Sequence, residues 1–256
     1  MDRLKLDRTR ILRLLLPVPL RNTLLASDFD GTLAPIVADP AKAAVMPEAL
    51  AALGALVDRG LRVIVLSGRS TAFLQDRVPI PGVRMLGDYG LEEPSTLEAR
   101  ALERFNSRAG AIIANQAGIL LEVKPGSSSV HFRAAPEAAD ELLDELAPLA
   151  SELGLVASRG RMVVEVRPAR ASKARALESL VREEQPSGVL FAGDDEGDRE
   201  VFEAMTCINI RHLAIGVRSK EAPPALFEHC DLIVEGPPGF ASFLTAWLNL
   251  VQRREE

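Results

Sequence analysis

The stretch Leu24-Leu25-Ala26-Ser27-Asp28-Phe29-Asp30-Gly31-Thr32-Leu33 decides the fold. A short apolar run leads straight into two carboxylates spaced i, i+2, followed at once by glycine and threonine. In extended backbone, side chains at i and i+2 leave the same face. Asp28 and Asp30 are therefore expected side by side at the carboxyl edge of a strand, where open α/β sheets bind ligands. Two like charges held that close are costly without a cation. Hard oxygen donors beside a phosphate suit Mg2+.

Outward from this strand, over Thr23–Ser27, short apolar runs alternate with helical patterns, as βαβ units and a mainly parallel sheet require. The sequence predicts a helix over 47–60, with Pro47 in its first turn and Gly60 at its end. Strands follow over 61–67 and 83–86. Beyond Glu93-Pro94 the texture changes to a helix over 97–114, strands over 119–124 and 128–133, a helix over 136–153, and strands over 155–158 and 161–167 turning at Arg159-Gly160. This α-β-β-α-β-β block reads as an inserted antiparallel sheet with helices on one face. The doubly wound pattern then returns: a helix over 173–184, a strand over 188–192, a helix over 198–205, strands over 207–210 and 231–234, and a closing helix over 240–250. The fold class is thus α/β, a Rossmann-like doubly wound core (1–95 and 169–256) carrying an α+β cap (96–168).

A chain of 256 residues is long enough for such a two-part arrangement. Its 47% hydrophobic and 26% charged residues are those of an ordinary globular protein. The net charge of −6 argues against a nucleic-acid partner, so any anionic substrate must be held by local cations. Cys207 and Cys230 show no metal spacing and read as two thiols in a reducing compartment. Arg3, Lys5, Arg8 and Arg10 precede the apolar run 11–20, an arrangement loosely like a signal peptide. Arg13, Pro17 and Pro19 interrupt that run, and cleavage near Ala26 would destroy the strand that carries Asp28. The segment is read as a short helix on the domain edge of a cytoplasmic, monomeric protein without a membrane partner.

Four segments place polar groups at strand ends or helix starts: Asp28-Phe29-Asp30-Gly31-Thr32, Ser67-Gly68-Arg69, Lys173 behind Ser172, and Gly193-Asp194-Asp195-Glu196-Gly197-Asp198. Each alone is common in surface turns and helix caps; their order and position carry the argument. Phosphoryl transfer needs a nucleophile, an acid/base, a cation held by carboxylates, and donors on the equatorial oxygens. Asp28 is the expected nucleophile and Asp30 the acid/base. Asp28, Asp30 through its backbone carbonyl, Asp194 and Asp198 are the expected Mg2+ set. Ser67 and Lys173 are expected on the phosphoryl oxygens, Lys173 beside helix N–H groups that already favour anions.

This order of motifs resembles the haloacid-dehalogenase-like phosphatases and, more finely, the trehalose-6-phosphate phosphatase family. The match runs through Asp28–Ile36, Asp39-Pro40, Ser67-Gly68-Arg69, Gly87-Asp88-Tyr89-Gly90-Leu91-Glu92, Glu122-Val123-Lys124, His131-Phe132-Arg133, Glu165-Val166-Arg167-Pro168, Lys173 and the acidic turn with Phe202. Tyr89 stands where the family usually has histidine, Ala174 where glycine is usual, Gly197 in place of threonine and Arg199 in place of glutamate. None of these removes a nucleophile, a metal ligand or a phosphate cation. The resemblance implies a Mg2+-dependent phosphatase that hydrolyses trehalose 6-phosphate through an aspartyl-phosphate. Gly68, Arg69, Glu122, Lys124, His131, Arg133 and Glu165 are then expected to bind the substrate, those of the cap by meeting sugar hydroxyls. The same core serves other sugar phosphates, such as sucrose 6-phosphate, mannosylglycerate phosphate or glucosylglycerol phosphate. A silent sugar-phosphate sensor should have lost one of the core carboxylates.

Overall fold

In a computed structural model, residues 18–37, 39–91, 93–160, 162–220 and 222–255 are described. The expected N-terminal helix lies almost wholly in 1–17, and Glu92 and Arg161 are likewise outside the described residues. Leu20–Asn22 forms a single 3-10 turn into the first strand.

The main sheet holds six parallel strands: β1 (Thr23–Ser27), β2 (Arg62–Leu66), β3 (Arg84–Leu86), β8 (Gly188–Gly193), β9 (Arg211–Arg218) and β10 (Leu232–Glu235). Their spatial order is β10-β9-β8-β1-β2-β3. Alternate residues of each strand feed two cores. Leu25, Val63, Val65, Leu190, Ile215 and Val217 face one side. There they pack with helices α1 (Pro47–Val57) and α7 (Gly236–Glu255), and with α2 (Thr71–Arg77) through Leu74. Leu24, Ala26, Ile64, Val189, Phe191 and Ala214 face the other, against α5 (Lys173–Glu184) and α6 (Glu196–Met205). With both faces covered, the strands read as near-continuous apolar runs. The chain leaves β1 toward β2 and β3, and leaves β8 toward β9 and β10. The gap between β1 and β8 is therefore the topological switch point of the sheet.

Inserted between β3 and α5 is the α-β-β-α-β-β unit: α3 (Thr96–Ile113), β4 (Leu120–Val123), β5 (Ser128–His131), α4 (Ala139–Glu152), β6 (Leu155–Gly160) and β7 (Val163–Pro168). Its antiparallel sheet runs β4-β5-β7-β6. Leu102, Phe105 and Ala109 of α3 and Leu142 and Leu146 of α4 pack on Val130, Val164 and Val166. By the strand period of two, Glu122, Ser129, His131, Val163 and Glu165 face away from these helices. The fold class read from the sequence is the one observed.

Two local expectations give way. Residues 207–210 are not a strand: Cys207 and Ile208 close α6 by donating to the carbonyls of Ala204 and Met205, and β9 begins at Arg211. Arg159 and Gly160 do not turn; they stay in β6, with Gly160 opposite Val163, and Met162 takes the left-handed conformation at φ 57°.

Candidate active site

β1 ends at Ser27, and Asp28 N–H continues the ladder by donating to Ala192 O of β8 at 2.8 Å. The first carboxylate is thereby fixed at the switch point. Gly31 then turns the chain at φ +83°, and a Cβ there would stand 2.0 Å from Asp194 Oδ2. Only glycine lets the two loops approach so closely. The Thr32 hydroxyl, 3.3 Å from Asp194 Oδ1, ties the same pair.

Lys173 opens α5 behind Ser172, whose side chain caps the helix by accepting from Arg175 N–H. Its Nζ lies 2.9 Å from Asp28 Oδ1 and 2.8 Å from Asp198 Oδ1. Asp198 Oδ2 accepts from the backbone N–H groups of Asp194 (2.9 Å) and Asp195 (3.2 Å). Asp198 thus sits fully buried behind Lys173, its oxygens engaged by an ammonium and two amides.

Burial dominates the electrostatics here. It raises Asp28 to about 6, although Lys173 opposes the shift. Burial, reinforced by Asp198, takes Asp195 to about 7. Asp194 is pushed well above the carboxylate range by burial and then by Asp195, Asp28 and Asp198. For Lys173, burial works against the charge, but Asp198, Asp28 and Asp195 prevail and hold it well above its usual value. One cation therefore faces an excess of crowded carboxylates. Oxygens of Asp28, Asp194 and Asp198 lie within 4.8 Å of one another. A hard divalent cation fits this donor set and charge deficit, with Asp28 and Asp194 the better placed because Asp198 is already satisfied.

Asp30 is held by a fork. Arg69 Nε lies 2.6 Å from its Oδ2, and Arg69 Nη2 lies 2.9 Å from its Oδ1. The guanidinium also rests on the Phe73 ring, 4.8 Å from its centroid, and Phe73 meets Phe29 edge-on. Among the expected phosphate and sugar contacts, the structure thus places Arg69 against Asp30, as it places Lys173 against Asp28. Ser67 is buried at the cavity wall, and its Oγ accepts from Arg69 N–H at 3.3 Å.

The polar face of the inserted sheet forms the roof. Lys124 Nζ reaches Gly68 O of the core at 3.4 Å and Ser129 Oγ at 3.0 Å. Arg133, just past β5, donates to Val37 O at 2.9 Å. Glu122 accepts from His131 at 2.8 Å, and chiefly this hydrogen bond, against some burial, lowers its pKa. One cavity is lined by Asp28, Asp30, Ser67, Gly68, Arg69, Glu122, Lys124, His131, Arg133, Glu165, Lys173 and Asp194. Every sequence-derived candidate except Asp198 lines it. Sequence reasoning gave Asp195 and Ser129 no role and expected Tyr89, near the domain junction, to alter sugar recognition; all three line the same cavity. Ser129 was within reach of the strand period, two residues before His131. Tyr89 was marked only by its departure from the family pattern.

Comparison with known proteins fits this geometry. The trehalose-phosphatase family model matches residues 26–107 and 110–225. An uncharacterized glycosyl hydrolase of Mycobacterium tuberculosis is 31% identical over 219 residues, 76% of this chain and 16% of that one. A bifunctional trehalose-6-phosphate synthase/phosphatase of Thermoproteus tenax is 34% identical over 201 residues, 72% of this chain and 27% of that one. The chain thus spans only a fraction of the length of these relatives. The C-terminal domain of a C. albicans trehalose-6-phosphate phosphatase has the same fold, at TM-score 0.77 and 21% identity over 95% of this chain and 97% of that one. Matched by the family model over most of its length, the chain belongs to the trehalose-phosphatase family.

Proposed function

We propose that the chain hydrolyses trehalose 6-phosphate to trehalose and phosphate, with Asp28 as nucleophile. The observation that carries the reading is the placement of Lys173 Nζ 2.9 Å from Asp28 Oδ1, at the switch point and beneath a roof of sugar-compatible polar groups. Residues 96–168 serve as the cap and the remainder as the catalytic core. The protein acts as a cytoplasmic monomer; among the described residues no helix is long and apolar enough to cross a membrane.

Asp28 attacks phosphorus, and the bond to the sugar oxygen breaks as the aspartyl-phosphate forms. Lys173 orients Asp28 and faces the equatorial oxygens, and Ser67, on the wall of the same cavity, donates to them as well. Asp30 protonates the departing sugar alkoxide and later takes the proton of the attacking water. For this it exchanges its fork with Arg69 for the leaving oxygen, while the guanidinium turns to the phosphoryl group. Asp28 and Asp194, with the Asp30 carbonyl, would hold Mg2+, which supplies charge neutralisation for the phosphoryl oxygens. Glu122, Lys124, His131, Arg133 and Glu165 meet the disaccharide hydroxyls and, with the cap closed, exclude bulk water.

Phosphate release from a panel of sugar phosphates, with and without EDTA, tests the reading. Trehalose 6-phosphate is expected to give the highest kcat/KM, with release abolished by EDTA and by Asp28→Asn. A better sugar phosphate would displace the substrate, and turnover by a folded Asp28→Asn variant would displace the nucleophile.

A further inference from the structure

The chain returns from the inserted unit through β7, and residues 169–172 alone separate the end of that strand at Pro168 from Lys173, the first residue of α5. Ala169 and Arg170 are exposed, so this connection has little packing of its own. A cap that opens and closes over a site moves its connections with it. Movement here would draw Lys173 away from Asp28 unless the connection is anchored to the core.

Arg167, next to the end of β7, is almost fully buried at this point. Its guanidinium donates to Ala171 O, and Ala171 N–H donates to Pro168 O at 2.9 Å, which closes the connection into a turn. Its Cζ stands 5.1 Å from the centroid of the Tyr89 ring. Tyr89 is itself fixed to the core, its N–H donating to Ser67 O at 2.9 Å. Arg167 Nη2 lies 3.7 Å from Glu200 Oε1 of α6. The other oxygen of Glu200 accepts from the Ser172 hydroxyl at 3.0 Å, and that hydroxyl caps α5 by accepting from Arg175 N–H. Two residues earlier on α6, Asp198 holds the Lys173 ammonium at 2.8 Å. One helix of the core thus grips the junction at Ser172 and at Lys173. Arg167 stands on a cap strand, yet these partners belong to the core or to the connection. A buried ion pair adds little net stability; a planar, always-charged fork fixes direction.

We infer that Arg167 is a positioning residue for phosphoryl transfer: it anchors the return connection to the core, so that Lys173 stays aimed at Asp28 and the phosphoryl group while the cap moves. The inference rests on the phosphatase reading above. It makes Glu200, through Ser172, the second half of the same clasp.

The test compares Arg167→Met and Glu200→Ala with the wild type by calorimetric titration with inorganic phosphate in Mg2+ and by turnover of p-nitrophenyl phosphate. Stoichiometry reports how much of the protein is competent, whereas Kd reports how the cations of the site are aimed. Arg167→Met is expected to raise Kd about tenfold at unchanged stoichiometry, the scale of one hydrogen bond to a charged group. Its kcat should fall at least ~10-fold, as misaligned reacting groups do. Glu200 is half exposed, so Glu200→Ala keeps the fold and carries the test if Arg167→Met does not. It should raise Kd about threefold. A role in stability alone lowers the urea midpoint or the stoichiometry and leaves Kd at the wild-type value, which would overturn the inference. A loss seen only with sugar phosphates would also overturn it, by placing Arg167 with sugar recognition. Both results leave the phosphatase reading intact. A wild type that neither binds phosphate nor releases it from any ester would overturn that reading and the inference together.

Discussion

Gly31 and Asp194 share a space that one methyl group would close: a Cβ at position 31 would stand 2.0 Å from Asp194 Oδ2. Gly31→Ala combines this clash with a left-handed φ of +83°. The β1 loop or the acidic loop must then shift, and the carboxylates of Asp28 and Asp194 separate. The expected cost is about 1–3 kcal/mol of stability, with turnover falling at least ~100-fold, as misplaced reacting groups do. Urea unfolding and phosphate release check both; a variant with normal turnover would show that the two loops need not meet this closely.

Lys173 is the internal counter-ion of Asp28 and Asp198, and all three are almost fully buried. Removing one partner of such a cluster leaves uncompensated charge, a loss of about 3–5 kcal/mol. Lys173→Met preserves the stem and removes only the ammonium. We expect inactivity and a loss near the lower end of that range, because the freed carboxylates can take up protons. A variant unfolding within 1 kcal/mol of the wild type would show that the carboxylates already carry protons in the fold.

The same crowding fixes the sign of the metal's effect on stability. Burial raises Asp28 to about 6 and Asp195 to about 7, so between these values and 3.8 the folded chain holds protons that the unfolded chain releases. The stability of EDTA-treated protein should therefore fall as pH rises from about 4 to about 7. A bound cation replaces those protons. Mg2+ should raise Tm more at pH 7.5 than at pH 5. Equal shifts at the two pH values, or none, would place the cation elsewhere.

Much of this was legible along the chain. Thr23–Ser27 and Lys173–Glu184 fall where their patterns put them, because an apolar run ending in Asp28 and a serine cap before Lys173 are local signals. The strand Arg211–Arg218 was not read. Its period of two is masked by Ala214 and Gly216, small because helix and loop press on that face; a Cβ at Gly216 would stand 2.4 Å from Phe227. Residues 207–210 carry two isoleucines that suggest a strand, but tertiary packing turns them to close α6. At the β6–β7 turn the glycine signal misled, since Met162 rather than Gly160 takes the left-handed conformation. The fork between Arg69 and Asp30 and the stacking of Arg167 on Tyr89 each join segments distant in sequence, and no local period encodes them.

Glu98 and Arg170 join the two segments that connect core and cap. Glu98 caps α3 reciprocally with Ser95, and Arg170 meets its two carboxylate oxygens at 2.8 Å each. Arg170 also donates to Glu93 O at 2.7 Å, so the outgoing and returning chains are tied at one point. The hydrogen bond from Arg170, then those from Ser95, lowers Glu98 from 4.5 to about 2. A depressed carboxylate contributes stability that is present above its unfolded value, near 4.5, and lost as pH falls toward 2. Because the pair is partly exposed, solvent screening limits its worth to about 0.2–1 kcal/mol. Glu98→Gln should therefore cost a few tenths to about 1 kcal/mol at pH 7 in low salt. The difference should shrink as pH falls from 4.5 toward 3 and should also diminish in ~1 M salt. Urea midpoints for both proteins across that window decide it. A difference that ignores pH and salt would assign the loss to the amide's poorer capping of α3 instead of to the charge pair.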